Sequence, residues 1–161
     1  MRWLWLSTGA WLQAQMQITI EGYKEGDLLG REYTCDGANV PPTLTWQGAP
    51  PETQAYVIRM YDPDAPADTF IHWIVYNYTG TSLSLQTKGL AQGYNDFGNI
   101  GYGGPCPPSS DPAHRYVIEV YALRKPLGLS SPPTWDKLLI AMKDKVAAHA
   151  STYVRYKRQK R

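Results

Sequence analysis

The chain has 161 residues, of which 43% are hydrophobic and 12% aromatic. This length and composition predict one globular domain with its own core, and they exclude an intrinsically disordered chain. The net charge is +2, but residues 155–161 hold five basic residues and no acid, which leaves 11 basic against 14 acidic residues elsewhere and excludes a broad basic surface for nucleic acid.

The two ends of the chain differ in composition from its body. Residues 1–15 carry one positive charge and then an apolar stretch, Trp3 to Leu12, that is too short to span a bilayer. We interpret them as an N-terminal extension or a start codon placed too far upstream, in a cytoplasmic protein; the alternative is a weak signal peptide or surface anchor, in an exported one. We expect residues 157–161 to form a solvated basic tail, with contact to nucleic acid or anionic lipid as the alternative.

Strands dominate the first part of the chain. Met16–Ile20 predicts a first strand, and residues 21–54 are rich in turns, with an extended piece at Thr43–Trp46 between two proline pairs. Ala55–Tyr61 is an apolar run with β-branched and aromatic residues, which is typical of a buried central strand.

Two more strands are separated by a long connection. Ile71–Tyr78 is largely apolar on both of its alternating sides, and Tyr116–Leu123 is similar, so we expect both strands to be central in a sheet. Residues 79–113 contain many glycines and a proline cluster. A connection of this length in a compact domain is usually functional.

One helix is predicted near the C-terminus. Thr134 is a suitable N-cap after two prolines, and apolar residues then recur at helical spacing as far as Val146. We expect this helix to end near His149, and Ser151–Tyr156 to form a final strand. The sequence therefore predicts a mainly β domain with one C-terminal helix, over residues 16–156.

Three ionisable residues lie at predicted strand ends. Asp62 ends one strand, His72 begins the next and His114 precedes the third, so antiparallel pairing would bring Asp62 and His72 together. A carboxylate beside an imidazole fixes its tautomer and favours its charged form. The glycines of residues 101–104 could add a nest of backbone N–H donors, and such a set suits a phosphate or carboxylate.

Other interpretations of these residues remain open. Asp62 and His72 could merely close a turn. Asp62, His72 and His114 could form a metal site of two histidines and one carboxylate, and Cys106 with His114 could form a thiol nucleophile and its base. The sequence contains no nucleophile elbow, phosphate-binding Walker loop or Cys-x-x-Cys motif.

Six segments, taken together and in order, resemble the phosphatidylethanolamine-binding protein family, also called the Raf kinase inhibitor-like family, in its bacterial and archaeal branch. They span nearly the whole chain, from about residue 16 to residue 156. The matching residues are Tyr33 to Asn39 with Pro42 and Trp46, Asp62 to Pro66, His72-Trp73, Asn95 to Gly98, Gly101 to Pro108, and His114 to Tyr116.

The resemblance implies a β-sandwich of antiparallel sheets with peripheral helices and one small anion pocket. The residues that it implies for ligand binding are Asp62, His72, Gly103, Pro105, His114 and Tyr116. We expect Asp64 to stabilise the loop, and Asp96 and Arg115 to be structural, as an ion pair. Cys35 and Cys106 lie in loops that border this pocket in relatives, and they are either a disulfide or two buried thiols.

The function implied is that of a non-enzymatic binding protein, without a metal or cofactor, that holds a phosphate or a phosphorylated head group and acts as a regulator. The alternative is a protein inhibitor of serine proteases, or of kinases, that acts through surface loops. The partners expected are therefore a small anionic ligand and, in the alternative, a protease or kinase. No nucleic acid is expected, and the family includes homodimers.

Overall fold

The computed structural model describes residues 15–159, in which eight strands form two antiparallel sheets. The smaller sheet contains β1 (Gln17–Ile20), β2 (Leu44–Gln47) and β5 (Ser82–Leu83), in the order β1-β2-β5. The strands of the larger sheet are β3 (Ala55–Asp62), β4 (Phe70–Tyr78), β6 (Ala91–Gln92), β7 (His114–Leu123) and β8 (Val146–Tyr156). Their order is β6-β4-β3-β7-β8. A 3₁₀ turn at Arg31–Tyr33 and one helix, α1 (Trp135–Met142), complete the described elements.

The larger sheet is buried on both faces, as the apolar runs of its central strands predict. Along β3, Ile58 and Met60 face the smaller sheet, whereas Val57 faces the opposite side. Leu138 and Met142 of α1 pack against that opposite side, and both are buried. The domain therefore has three layers, and the prediction of a mainly β fold with one C-terminal helix is confirmed.

The helix is shorter than its sequence pattern suggests. Thr134 is the N-cap, and its Oγ1 accepts a hydrogen bond from the Lys137 amide at 3.4 Å. The helix ends at Met142, and Asp144 has a left-handed φ of 66° in the turn that follows. The predicted continuation to His149 is wrong, because Val146 already belongs to β8.

Strand pairing overrides the helical pattern in this segment. The register of β8 with β7 runs from Leu123↔Val146 to His114↔Tyr156, so that β8 pairs along the whole of β7. The alanines of this segment favour a helix, whereas Val146, Thr152 and Val154 favour a strand, so composition alone does not decide between the two. His149 consequently lies exposed on a strand, and the predicted final strand begins five residues earlier than expected.

The described part of the basic tail is bound to the domain. The Lys157 ammonium donates to the backbone carbonyl of Asp111 at 2.5 Å, and Arg158 pairs with Asp36 at 3.3 Å. Lys157 is exposed to solvent and Arg158 is half-buried, so these contacts tether the first two residues of the predicted tail. Residues 1–14 and 160–161, which include most of the predicted N-terminal extension, lie outside the described residues. Within residues 15–159, no helix is long and apolar enough to cross a membrane.

A charged pair is buried on the outer face of the larger sheet. Arg59 Nε donates to Glu119 Oε1 at 3.0 Å, and the Tyr121 hydroxyl donates to the same oxygen at 3.0 Å. The Arg59 guanidinium lies between two aromatic rings, 3.9 Å from the centroid of Tyr61 and 4.1 Å from that of Trp135. This pair therefore fixes the start of α1 over the sheet.

We expect the Glu119→Ala substitution to lower the free energy of unfolding by about 3 kcal/mol, because it leaves the Arg59 charge uncompensated against the sheet. The Glu52→Ala substitution is the matched control, since Glu52 pairs with Arg124 at 4.0 Å on the surface. Its cost should stay below about 1 kcal/mol. Urea unfolding of both variants measures the difference, and equal costs would contradict the structural role of the buried pair.

Candidate functional site

Three strand ends of the larger sheet surround one cavity of about 170 Å³. Asp62 ends β3 and pairs in register with Phe70 at the start of β4, while His114 begins β7 on the other side of β3. The lining residues are Asp62, Ala65, Pro66, Phe70, His72, Phe97, Cys106, Pro107, Pro108, His114 and Tyr116. The structure thus brings together four of the predicted ligand-binding residues, namely Asp62, His72, His114 and Tyr116.

The imidazole of His114 lies between two carboxylates. Its Nδ1 is 2.6 Å from Asp62 Oδ2, and its Nε2 is 2.8 Å from Asp111 Oδ2. Burial acts to lower the pKa of His114, but the hydrogen bonds to Asp62 and Asp111 outweigh burial and raise this pKa above its ordinary value. Because ionised carboxylates only accept hydrogen bonds, both ring nitrogens carry protons and His114 is an imidazolium. Asp62 therefore orients His114 and not His72, which the sequence had placed beside it.

The second histidine has a different environment. His72 Nδ1 is 2.6 Å from the carbonyl oxygen of Gly103, which can only accept, so Nδ1 carries the proton. Burial lowers the pKa of His72, and the Gly103 carbonyl and the Asp62 charge offset this effect only in part. His72 is therefore neutral near pH 7, and its Nε2 carries a lone pair; the side-chain hydrogen bond that His72 makes within the described residues is the one at Nδ1.

Tyr116 supplies a further polar atom to an otherwise apolar wall. Its ring is fully buried, and its hydroxyl has no hydrogen-bond partner among the described residues. Burial and the nearby Asp62 carboxylate raise the pKa of Tyr116, so the hydroxyl keeps its proton. The rings of Phe70 and Phe97 pack against His72, with centroids 4.9 and 5.5 Å from the centroid of the imidazole.

The glycine loop does not form the expected nest of donors. The amides of Gly101, Gly103 and Gly104 donate to Gly93 O, His72 O and Asn39 Oδ1, respectively. Neither Gly103 nor Pro105 is among the residues that line the cavity. Gly104 has instead a packing role, because a Cβ there would collide with the Tyr33 carbonyl oxygen.

A disulfide supports one wall of the cavity. Cys35 and Cys106 are bonded, with 5.4 Å between their Cα atoms, and Cys106 lines the cavity. The Cys35 amide also donates to the carbonyl of Pro105 at 3.1 Å. Pro105 and Cys106 are thus held to the segment around Cys35 by one covalent bond and one hydrogen bond.

The ion pair expected between Asp96 and Arg115 is wrong. Arg115 instead makes two side-chain hydrogen bonds to Asp64, at 2.8 and 3.0 Å. Asp64 therefore stabilises the loop after β3, as we expect from the sequence. Asp96 accepts a hydrogen bond from the Ile71 amide at 2.7 Å, and its own amide donates to the Ile71 carbonyl at 2.8 Å, so the start of the β6–β7 connection is held against β4.

The sequence analysis missed Asp111, Phe70 and Phe97 as residues of the site. Asp111 lies three residues before His114, within a Ser-Ser-Asp-Pro turn that could have indicated a histidine partner. Phe97 belongs to the Asn95–Gly98 segment. A single large apolar residue among Asn, Asp and Gly was the signal in the sequence that could have indicated a role for Phe97. Within residues 15–159, no group of three or more His, Cys, Asp or Glu side chains is arranged to hold a metal ion.

The comparisons with known proteins agree with this architecture. The family model for phosphatidylethanolamine-binding proteins matches residues 19–157. A UPF0098 protein of Aquifex aeolicus is 38% identical in an alignment 154 positions long that covers 90% of each chain. The chain belongs to the phosphatidylethanolamine-binding protein family. The resemblance inferred from the sequence is therefore confirmed.

Two solved structures of the family share the fold. The structure of CT736 from Chlamydia trachomatis, described as a homologue of phosphatidylethanolamine-binding protein, has a TM-score of 0.85 at 33% identity and covers 90% of this chain and 99% of its own. YbcL of Escherichia coli has a TM-score of 0.82 at 32% identity, with 91% of this chain and all of its own chain covered. The printed names of these relatives state no enzymatic activity.

The charged state of His114 should make stability depend on pH. Its pKa is raised in the folded protein, so the stabilisation is complete below the unfolded value of about 6.5 and is lost as the pH rises through the folded value. We expect the difference in free energy of unfolding between wild type and His114→Gln to shrink from pH 6 to pH 9. Urea unfolding across this pH range measures the difference. His149→Gln is the control, because it changes an exposed histidine. A difference that grows with pH would contradict the imidazolium assignment.

Proposed function

We propose that the protein is a non-enzymatic binding protein and regulator that holds a small anionic or phosphorylated group in the cavity between β3, β4 and β7. The supporting observation is the Tyr116 hydroxyl, a buried polar atom without a hydrogen-bond partner among the described residues, which lines the same apolar cavity as the His72 imidazole. A buried polar atom without a partner costs about 1–3 kcal/mol. A ligand that accepts a hydrogen bond from Tyr116 Oη recovers this free energy, and it can bond to His72 Nε2 at the same time.

The two atoms define the ligand by their chemistry. Tyr116 Oη keeps its proton and donates, whereas the lone pair on neutral His72 Nε2 needs a donor. A singly protonated phosphate ester meets both needs, since it has an accepting oxygen and a hydroxyl. A fully ionised anion also fits once His72 has taken up a proton, because both atoms then donate.

The charges near the cavity favour binding that is coupled to a proton. Asp62, Asp111 and the His114 imidazolium sum to one negative charge, and neutral His72 adds none. An anion that enters this environment raises the pKa of His72 by its own charge. Anion affinity should therefore rise as the pH falls, since the protonated form of His72 is the one that attracts the ligand.

A binding function without a catalytic step also fits the oxidised state of Cys106, the cysteine that lines the cavity. Cys106 is bonded to Cys35 and cannot act as a thiolate nucleophile while the disulfide is intact. Disulfides persist in oxidising compartments. Because intracellular proteins of hyperthermophiles also contain disulfides, the bond fits an exported protein or a cytoplasmic one from a hot environment.

Proton coupling can be tested with sulfate, which carries no titratable proton near neutral pH. We expect calorimetric titration of sulfate at pH 7, in two buffers of different ionisation enthalpy, to show uptake of protons by the protein. His72→Gln should abolish the uptake and weaken binding at least about tenfold, because one charged hydrogen bond is lost. Binding of sulfate without proton uptake would contradict the role of His72.

Two further arms complete this experiment. His149→Gln changes an exposed histidine of β8 and should leave the affinity unchanged. Titration of inorganic phosphate and of O-phosphoethanolamine separates a site for the free anion from one that also recognises the head group. If wild type binds none of the three compounds, the proposed function fails.

A second candidate function is inhibition of a protease through the loop between β6 and β7. The exposed apolar side chains of Tyr94, Phe97 and Ile100 lie on this loop. The buried Asn95 holds it rigid, because its side chain bonds to the amides of Phe97 and Asn99 and to the carbonyl of Gly101. A rigid loop loses little entropy on binding. Inhibition of a serine protease that is lost in Phe97→Ala but kept in His72→Gln would support this function over anion binding.

A further inference from the structure

His114 is not free to receive a ligand in this structure. Its Nδ1 is bonded to Asp62 and its Nε2 to Asp111, at 2.6 and 2.8 Å. An external anion that bonds to His114 must therefore replace one of these carboxylates. Since a carboxylate and a phosphate present similar anionic oxygens, Asp111 and Asp62 are the internal equivalents of such a ligand.

Of the two carboxylates, Asp62 is fixed. Its side chain is 5% exposed and lies at the end of β3, and its second oxygen accepts a hydrogen bond from the Asp64 amide at 2.7 Å. Displacement of Asp62 would break this turn as well as the contact with His114. Asp62 therefore stays with His114 when a ligand binds.

Asp111 is held much less firmly. Its side chain is 32% exposed, and its one side-chain hydrogen bond within the described residues is the one to His114. It lies in the turn between Pro108 and β7, where its amide donates to the Pro108 carbonyl at 3.0 Å. Among the described residues, the carboxylate can rotate into solvent without breaking any other side-chain hydrogen bond, and it would regain full hydration there.

We propose that Asp111 is an internal competitor whose carboxylate occupies the anion position on His114 Nε2. A ligand can bond to His114 as well as to His72 only by displacing that carboxylate. The inference rests on the proposed function of the cavity. The competition makes Asp111 a residue that determines specificity. Weakly basic anions do not displace its carboxylate from His114, whereas strongly accepting phosphoryl oxygens do. The imidazolium survives the exchange because Asp62 remains in place.

The test compares the same chemical change at both carboxylates. We expect Asp111→Asn to bind inorganic phosphate about tenfold more tightly than wild type at pH 6, because one negative charge is removed and the neutral amide oxygen that replaces the carboxylate is a weaker acceptor. Asp62→Asn should bind more weakly than wild type, because it removes the carboxylate that would keep His114 charged after Asp111 is displaced. A general effect of net charge would instead strengthen binding in both variants.

Two controls keep the result specific. Asp68→Asn removes one negative charge from an exposed residue that does not line the cavity, and its affinity for phosphate should equal that of wild type. Thermal unfolding shows whether each variant is folded. Should Asp111→Asn fail to fold, Asp111→Ser gives a second variant with a neutral side chain.

The outcomes separate the inference from the proposed function. If wild type binds phosphate and the Asp111 variants bind it equally or more weakly, the competition is overturned while the function of the cavity stands. If neither wild type nor the variants bind phosphate, the proposed function fails and the competition fails with it. Tighter binding in the Asp111 variants, with the opposite change in Asp62→Asn, supports both.

Discussion

The backbone pairing of β3 with β4 on one side and β7 on the other is the constraint on which the site depends. This pairing places Asp62 opposite Phe70 and brings the start of β7 to the same end of these central strands. His72 and His114, which are 42 positions apart in the sequence, line one cavity for this reason. The chemistry of the site therefore follows from the register of three central strands, and a shift of one residue would turn these side chains to the other face.

The sheet separates two kinds of buried charge. Arg59 and Glu119 neutralise each other on the outer face, where two aromatic rings cover the guanidinium. At the strand ends, His114 is bonded to two carboxylates, so that one negative charge remains in excess. The first arrangement is closed and has a structural role. The second retains an imbalance that a bound proton or a displaced carboxylate can relieve.

The sequence predicts the central strands and the family well, because apolar runs and motif order are local signals. It fails where pairing decides the outcome: residues after Met142 fit a helix or a strand equally, and only the open edge of β7 selects the strand. It also places Asp62 beside His72, whereas the carboxylate reaches His114. Asp111 was missed because its role depends on the direction of a turn, and the glycine amides were misjudged because their acceptors are distant in the sequence.

The disulfide has a topological consequence for the exposed loops. Cys35 and Cys106 are 71 positions apart, and the covalent ring they close contains β2 to β6 and the loop from Tyr94 to Ile100. A protease that cut the backbone anywhere within this ring would produce a nicked protein and not two separate fragments. The sheet would hold the two cut ends in place, so the peptide bond could be resealed before the protease is released. The domain can thus suffer cleavage of its most exposed apolar loop and remain one molecule.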